Sequence, residues 1–219
     1  MKQRGKKPRP SQPNWFAIEI ANYVNFVRCR MQVTTETMYY IADSRASRFT
    51  AQVFSGGLLS AFGHSPTIRI RDFLCEAEVD LDHIERSALK VTVRTAALSV
   101  QDELSDKDRK EMERTMREEI LESSSYPEIV YECSGLAVTK AGEGQYSVDF
   151  TGDLTMHGVT RRHTVPARVM VNGDAMRAFG EFALLQSHYK LKLASVAGGA
   201  LKIKDEMKFS FNVLARRKE

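Results

Sequence analysis

Cysteine is scarce in this chain and badly placed for a covalent or metal framework. There are three among 219 residues, Cys29, Cys75 and Cys133. The count is odd, the spacing wide, and no Cys-x-x-Cys occurs, which excludes a disulfide scaffold and a cysteine zinc site. No His-Glu-x-x-His is present, and no two of the five histidines (His64, His83, His157, His163, His188) stand four residues apart. A helical metal site is excluded with them, and no metal or cofactor is expected. A Gly-x-Ser-x-Gly elbow and a phosphate-cradling Gly-x-x-x-x-Gly-Lys-Ser/Thr loop are also missing, which removes the commonest hydrolase and nucleotide signatures. Long hydrophobic runs are absent. Residues 14–27 come nearest, but Glu19, Asn22 and Asn25 interrupt them. They are too short for a transmembrane span. They follow a basic stretch, as a signal core would, yet no Ala-x-Ala-like site comes after, so no cleavable signal is read and the chain is expected in the cytoplasm.

Charge is unevenly placed. The formal net charge is +4, but residues 1–35 alone carry +6, leaving −2 for the remainder. The basic balance belongs to the first segment and not to the body, which argues against a nucleic-acid-binding domain. Residues 1–35 are read as a basic tail, disordered or an artefact of start-site choice, since Met31 stands just before the first strand-like run. A membrane-surface segment is the third reading. Residues 36–219 are read as one domain. A hydrophobic fraction of 42% and a charged fraction of 27% are ordinary for a globular protein, and this length buries enough surface to fold without staples.

What the chain does have is period-two alternation. In Tyr146–Met156, residues Tyr146, Val148, Phe150, Leu154 and Met156 share one parity, and Ser147, Asp149, Thr151, Asp153 and Thr155 the other. Successive strand side chains point to opposite faces, so this strand is oily on one side and wet on the other. The pattern recurs in Met38–Ala42, Arg48–Phe54, Thr67–Phe73, Cys75–Leu81, Leu89–Val93, Ile129–Val138, Arg162–Val171, Met176–Leu184, Ala200–Lys204 and Met207–Val213. Turn signals separate the later runs: Ala141–Gly144, His157-Gly158, and Asn172-Gly173, where both positions tolerate positive φ. Leu58–Phe62 suits a helical turn, ahead of a loop at Gly63-His64-Ser65-Pro66. One longer helix is predicted over Asp106–Leu121, with Ser105 as N-cap, Asp108 in a capping-box place, and Met112, Met116 and Ile120 as an apolar stripe. It either closes one end of the sheet or forms a methionine-lined lid.

About eight antiparallel strands with one oily face must hide that face, and a sheet closed on itself does so while removing its edges. The predicted fold class is all-β, an antiparallel barrel of about eight strands with one main helix. Eight staves enclose a space that is either filled by side chains or holds one slender ligand.

Gly152-Asp153-Leu154-Thr155-Met156-His157-Gly158-Val159-Thr160-Arg161 resembles the signature hairpin of the YceI-like family of lipid- and polyisoprenoid-binding proteins. Arg48–Val53 resembles that family's opening strand. Tyr126-Pro127-Glu128-Ile129-Val130-Tyr131 resembles the strand after its helix, with Tyr131 where phenylalanine is usual, and Ala197–Glu206 resembles the run before its last strand. The likeness covers about residues 38–215. It implies a lipocalin-like barrel with an apolar tunnel for a long isoprenoid chain. The better-known members are secreted into the bacterial periplasm, which sets a periplasmic location beside the cytoplasmic one.

Inward parity supplies the candidate ligand-binding residues: Ile68, Ile70, Val91, Val93, Tyr131, Val148, Phe150, Leu154, Met156, Phe182, Phe209 and Phe211. Each could equally be plain core. Arg161, Arg162 and His163 are candidates for an anionic headgroup, with a solvated turn as the alternative. His157 falls on the wet parity and is expected to serve turn geometry and hydrogen bonding. Asp149 and Asp153 share a polar face with nothing to mark them as an acid/base pair. The chain is therefore expected to carry or sequester a long lipid without catalysis. An enzyme acting on such a lipid and a solid-barrel interaction protein are the rivals.

Overall fold

A computed structural model describes residues 37–56, 65–80, 83–193, 195–196 and 201–218. The basic stretch 1–35, the helical turn expected over Leu58–Phe62, and Gly63, His64, Cys29, Gly198 and Gly199 lie outside the described residues. Residues 36–219 belong to one compact unit.

Three staves of the barrel are each built from two strand segments. β1 (Thr37–Ala42) and β2 (Arg48–Gly56) both pair antiparallel with the last strand, at opposite ends of it. β3 (Thr67–Arg69) lies against β2, and β4 (Phe73–Asp80) against β1. β5 (Ala88–Arg94) and β6 (Ser99–Val100) repeat the arrangement against β4 and β3. The three interruptions lie side by side, at Asp43–Ser47, Ile70–Asp72 and Thr95–Leu98. The run expected to be one strand over Thr67–Phe73 is thus two pieces. Local bonding replaces the ladder at each break. Asp43 Oδ1 accepts from the Arg45 and Ala46 amides at 3.0 and 3.1 Å, and the Ile70 amide donates to the Phe49 carbonyl at 2.9 Å. Such breaks let a sheet bend sharply enough to close.

The other five staves follow in order: β7 (Glu128–Gly142), β8 (Gln145–Met156), β9 (Val159–Asn172), β10 (Ala175–Leu185) and, after a short β11 (Ser195–Val196), β12 (Leu201–Arg217). β5 pairs with β7, the hairpins β7–β8, β8–β9 and β9–β10 continue the sheet, and β12 lies along β10. β12 also meets β1, with Ala42 opposite Ala215 and Tyr40 opposite Arg217. That pairing closes an eight-stave antiparallel barrel. The runs expected separately at Ala200–Lys204 and Met207–Val213 form, from Leu201 on, this single strand, with a register shift between Ile203 and Met207, and Ala200 lies outside the described residues.

Two turns show how local chemistry places the strands. His157 and Gly158 have φ of +48° and +70°, the left-handed pair that a tight β8–β9 hairpin needs. At the β9–β10 turn only Gly173 is left-handed, with φ +56°. Asn172 stays on the strand opposite Ala175, so the turn sits one residue later than the Asn-Gly signal suggests.

The helix α1 (Asp106–Thr115) starts as predicted, with Ser105 Oγ accepting from the Asp108 amide at 3.2 Å and donating to Asp108 Oδ2 at 2.6 Å. It does not continue regularly to Leu121. Met116–Ile120 form a wider turn, in which the Leu121 amide donates to the Met116 carbonyl at 2.9 Å. An i→i+5 bond brings Leu121 onto the face of Met116, and both are buried in the core. The stripe read as Met112, Met116 and Ile120 therefore gains Leu121, while Met112 is exposed.

Thr95, only 1% exposed, ties this end together. Its amide donates to the Pro127 carbonyl at 2.9 Å, and its hydroxyl lies 3.0 Å from the carbonyls of both Tyr126 and Pro127. Thr95→Val keeps the shape and leaves buried carbonyl oxygens short of a donor, so it should cost about 1–3 kcal/mol in urea unfolding. A loss below about 0.5 kcal/mol would show that the hydroxyl contributes little.

Candidate ligand cavity

The inward faces of the staves do not fill the barrel. They surround a cavity of about 740 Å³, within the range of ligand pockets. A dry cavity of roughly 150 Å³ accepts one benzene ring, so this one has room for a chain of about five such units. Tyr146 and Met156, ten positions apart on β8, both line it. At about 3.3 Å per residue and a strand tilt near 40°, the bore is roughly 25 Å long. That approaches the ~30 Å hydrocarbon core of a bilayer.

All twelve residues selected by inward parity lie on the cavity wall: Ile68, Ile70, Val91, Val93, Tyr131, Val148, Phe150, Leu154, Met156, Phe182, Phe209 and Phe211. The register explains this. Phe150 stands opposite Leu136 on β7 and Val165 on β9, and Phe209 opposite Phe182 and Ala51. The Phe182 and Phe209 rings stack at 4.8 Å with 4° between their planes. Parity missed the wall residues contributed by irregular or distant segments, among them Ile84, Leu98, Gln186 and Leu191, and those from the helix side, Met112, Met116 and Leu121. Gln186 is buried, and its Nε2 donates to the Lys204 carbonyl at 2.9 Å. No periodic signal marks a residue in a single short turn.

The polar groups of the wall are few and mostly committed. The Tyr131 hydroxyl donates to the Phe150 carbonyl at 2.7 Å and lies 3.3 Å from that of His163. Burial raises its pKa far above the ordinary range for a phenol, so it stays a neutral donor. Burial, with a smaller contribution from Glu76, pushes the Cys75 thiol up to about 12. It behaves as a small apolar group and not as a nucleophile. Off the wall, the buried Cys133 thiol is likewise raised by burial. Its Sγ lies 3.3 Å from the Gly135 carbonyl and 3.5 Å from that of Thr151.

Arg161, Arg162 and His163 are not part of this wall. Arg161 is exposed, and its Nε donates to the His188 carbonyl at 2.8 Å. Arg162 points outward and pairs with Asp153 at 3.9 Å, exposed on both sides. His163 has inward parity, but its ring packs against Phe182 at 5.4 Å and its Nε2 is buried without a hydrogen-bond partner. Burial holds its imidazole below the usual 6.5. The unfolded chain then takes up the proton first as pH falls below 6.5, and stability is lost from there down through the lowered native value. His163→Phe should flatten the acid side of the curve of urea midpoint against pH, between about pH 7.5 and about pH 5. An unchanged acid slope would exclude His163 as a source of acid sensitivity.

His157 serves the turn as expected, with its left-handed φ, but not by hydrogen bonding. Neither ring nitrogen has a hydrogen-bond partner. The ring packs instead on Tyr126 at 4.4 Å, with Nε2 3.8 Å from Glu122 Oε1. A Cβ on Gly158 would come within 2.8 Å of the same Tyr126 ring. Two motifs far apart in sequence, Tyr126-Pro127 and His157-Gly158, thus meet at the helix end of the barrel and fasten it. Among the described residues, no group of His, Cys, Asp and Glu could hold a metal ion, and no helix is long and apolar enough to cross a membrane.

Solved structures share this architecture. BcnA from Burkholderia cenocepacia superposes with a TM-score of 0.60 at 20% identity, covering 79% of this chain and 98% of its own. A polyisoprenoid-binding domain from Saccharophagus degradans, implicated in plant cell wall breakdown, gives 0.58 at 14% identity, covering 82% and 98%. The Campylobacter jejuni YCEI protein gives 0.53 at 15%, covering 69% and 85%. At these identities the likeness concerns the fold. No curated protein matches in sequence. The YceI-like domain itself matches residues 40–215, which takes in every stave of the barrel and the wall of its cavity, and the chain belongs to the YceI-like family.

Proposed function

We propose that this protein binds one long apolar lipid, a polyisoprenoid chain, along the bore and carries or sequesters it without altering it. The observation that supports this is the unfilled apolar cavity of about 740 Å³, running between the helix side and the opposite end of the barrel. Each buried methylene-sized group is worth about 0.8 kcal/mol, against association costs of roughly 4–15 kcal/mol. A chain of more than about twenty carbons therefore binds firmly with few polar contacts. The family and the polyisoprenoid-binding neighbour favour the same class of ligand.

Native mass spectrometry of protein taken from cells tests the proposal. The expected result is a bound mass that organic extraction removes and that fragments as a lipid. A protein that emerges with no added mass, and takes up none from added polyprenol, would refute lipid carriage.

A further inference from the structure

We infer that the bore is loaded from the side: lipid enters and leaves through a seam in the wall between β9 and β10, and the side chains that must part for it are His163 and Phe182. This rests on the lipid-binding reading above and specifies the route by which the lipid reaches the cavity.

The strand register shows the seam. β9 and β10 pair only from Asn172 opposite Ala175 to Arg168 opposite Phe179. Beyond that point no residue of Val159–Ala167 pairs with one of Gly180–Leu185. Yet β9 stays laddered to β8 as far as Val159, and β10 to β12 as far as Leu185. Two firmly held strands thus run side by side without a ladder between them. Pro166, just past the last pair, has no amide hydrogen to give to a neighbour, and proline is tolerated where a strand edge is unpaired. The strands still touch there, since a Cβ on Gly180 would clash with the Pro166 carbonyl. Elsewhere in the wall a missing strand partner is replaced. β6 pairs with β3 alone, and α1 supplies a further bond, the Val100 amide donating to Glu113 Oε1 at 3.0 Å. Among the described residues, no other strand pairs with either edge of the seam. Arg161 Nε on the His188 carbonyl, at 2.8 Å, ties β9 to the turn after β10 at the helix end only.

Side chains close the seam. The His163 ring packs on Phe182 at 5.4 Å, and Phe182 in turn stacks on Phe209. Phe182 lines the cavity, whereas His163 is off its wall and part-exposed, so their contact stands at the edge of the bore. Such a closure opens more readily than a ladder. Parting strands elsewhere breaks a run of backbone hydrogen bonds. Here it breaks ring contacts and lets water reach the buried Nε2 of His163, which has no partner while the seam is shut. The seam also suits a long guest. At about 3.3 Å per residue, Gly180–Leu185 span roughly 17 Å of strand, about half the bore once tilt is allowed for. A chain that enters along this length goes in broadside and is spared threading end to end.

Kinetics separate a gate from a wall. The full chain, stripped of lipid, is offered all-trans-retinol, an isoprenoid alcohol that fluoresces when held in an apolar site, and uptake and release are timed. His163→Ala removes one of the two closing rings without touching the cavity wall. Both rates should rise at least about fivefold, with affinity changed less than about twofold, because a gate is one barrier crossed in both directions. Phe209→Ala, on the wall but between laddered strands, should speed release and leave uptake unchanged. Unchanged rates in His163→Ala, or a change in release alone, would overturn side loading and leave lipid carriage standing. Hydrogen exchange on the unaltered protein is the second check: amides of Gly180–Leu185 on the β9 edge should exchange faster than those of the same strand bonded to β12. Equal protection on the two edges would overturn the seam. A wild-type chain that takes up neither retinol nor polyprenol would overturn both readings.

Discussion

Phe150→Arg should abolish lipid retention, weakening it at least about a hundredfold, while Asp149→Arg leaves it unchanged. The two positions are adjacent on β8 and differ in face. Phe150 lines the cavity midway along the strand, between Leu136 and Val165. Asp149 is exposed, opposite Ala137 and Pro166. From position 150 the nearer end of β8 is five residues away, roughly 16 Å of strand, so an arginine cannot reach water along the bore. Its unpaired guanidinium disfavours both the empty fold and the lipid complex, by several kcal/mol, and every 1.4 kcal/mol is tenfold in affinity. Circular dichroism separates loss of binding from loss of fold. Leu136→Trp narrows the bore opposite Phe150 without adding charge, and should lower retention in a chain that still melts cooperatively. Equal retention by Phe150→Arg and Asp149→Arg would mean the lipid lies outside the barrel.

Gly152→Ala should be strongly damaging for so small a substitution, lowering stability by about 3 kcal/mol and the melting temperature by roughly 6–12 °C. Gly152 is a buried residue of β8, opposite Cys133 where β7 carries a register shift. A Cβ there would stand 2.6 Å from Cys133 Cα and would clash with the Glu132 carbonyl. These are backbone atoms, so no side-chain rotation relieves the overlap. Gly135, at the other side of the same bulge, is the control, since a Cβ added there meets nothing within 4 Å. Gly135→Ala should be neutral or gain about 0.4–1 kcal/mol by restricting the unfolded chain. Thermal melts of the two variants decide the matter. Similar loss from both would show that the bulge depends on glycine flexibility, and not on the close approach at Gly152.

Much of this arrangement is legible in the amino-acid order because it is periodic. β8 runs Gln145–Met156, as its alternation requires, and the inward parity of Val148, Phe150, Leu154 and Met156 puts each on the cavity wall. The Ser105 cap and the His157-Gly158 turn are similarly local, needing only a few neighbouring residues. The signature motifs were legible too, yet they proved to be fastenings. Tyr126, His157 and Gly158 pack on one another at the barrel's end and not around the bore.

Alternation by itself determines that an oily face exists and which side chains of the regular strands belong to it. It cannot determine whether those side chains meet across the barrel or stand apart, because the gap depends on strand tilt, on the three adjacent breaks, and on closure of β12 against β1. It also cannot place a charge relative to the bore. Arg161, Arg162 and His163 sit where a hairpin offers them, and only the packing of the Gln186–Tyr189 turn, Asp153 and Phe182 decides that none of them lines the cavity. Side-chain alternation is a local property of backbone geometry, whereas an empty volume is a property of all eight staves at once.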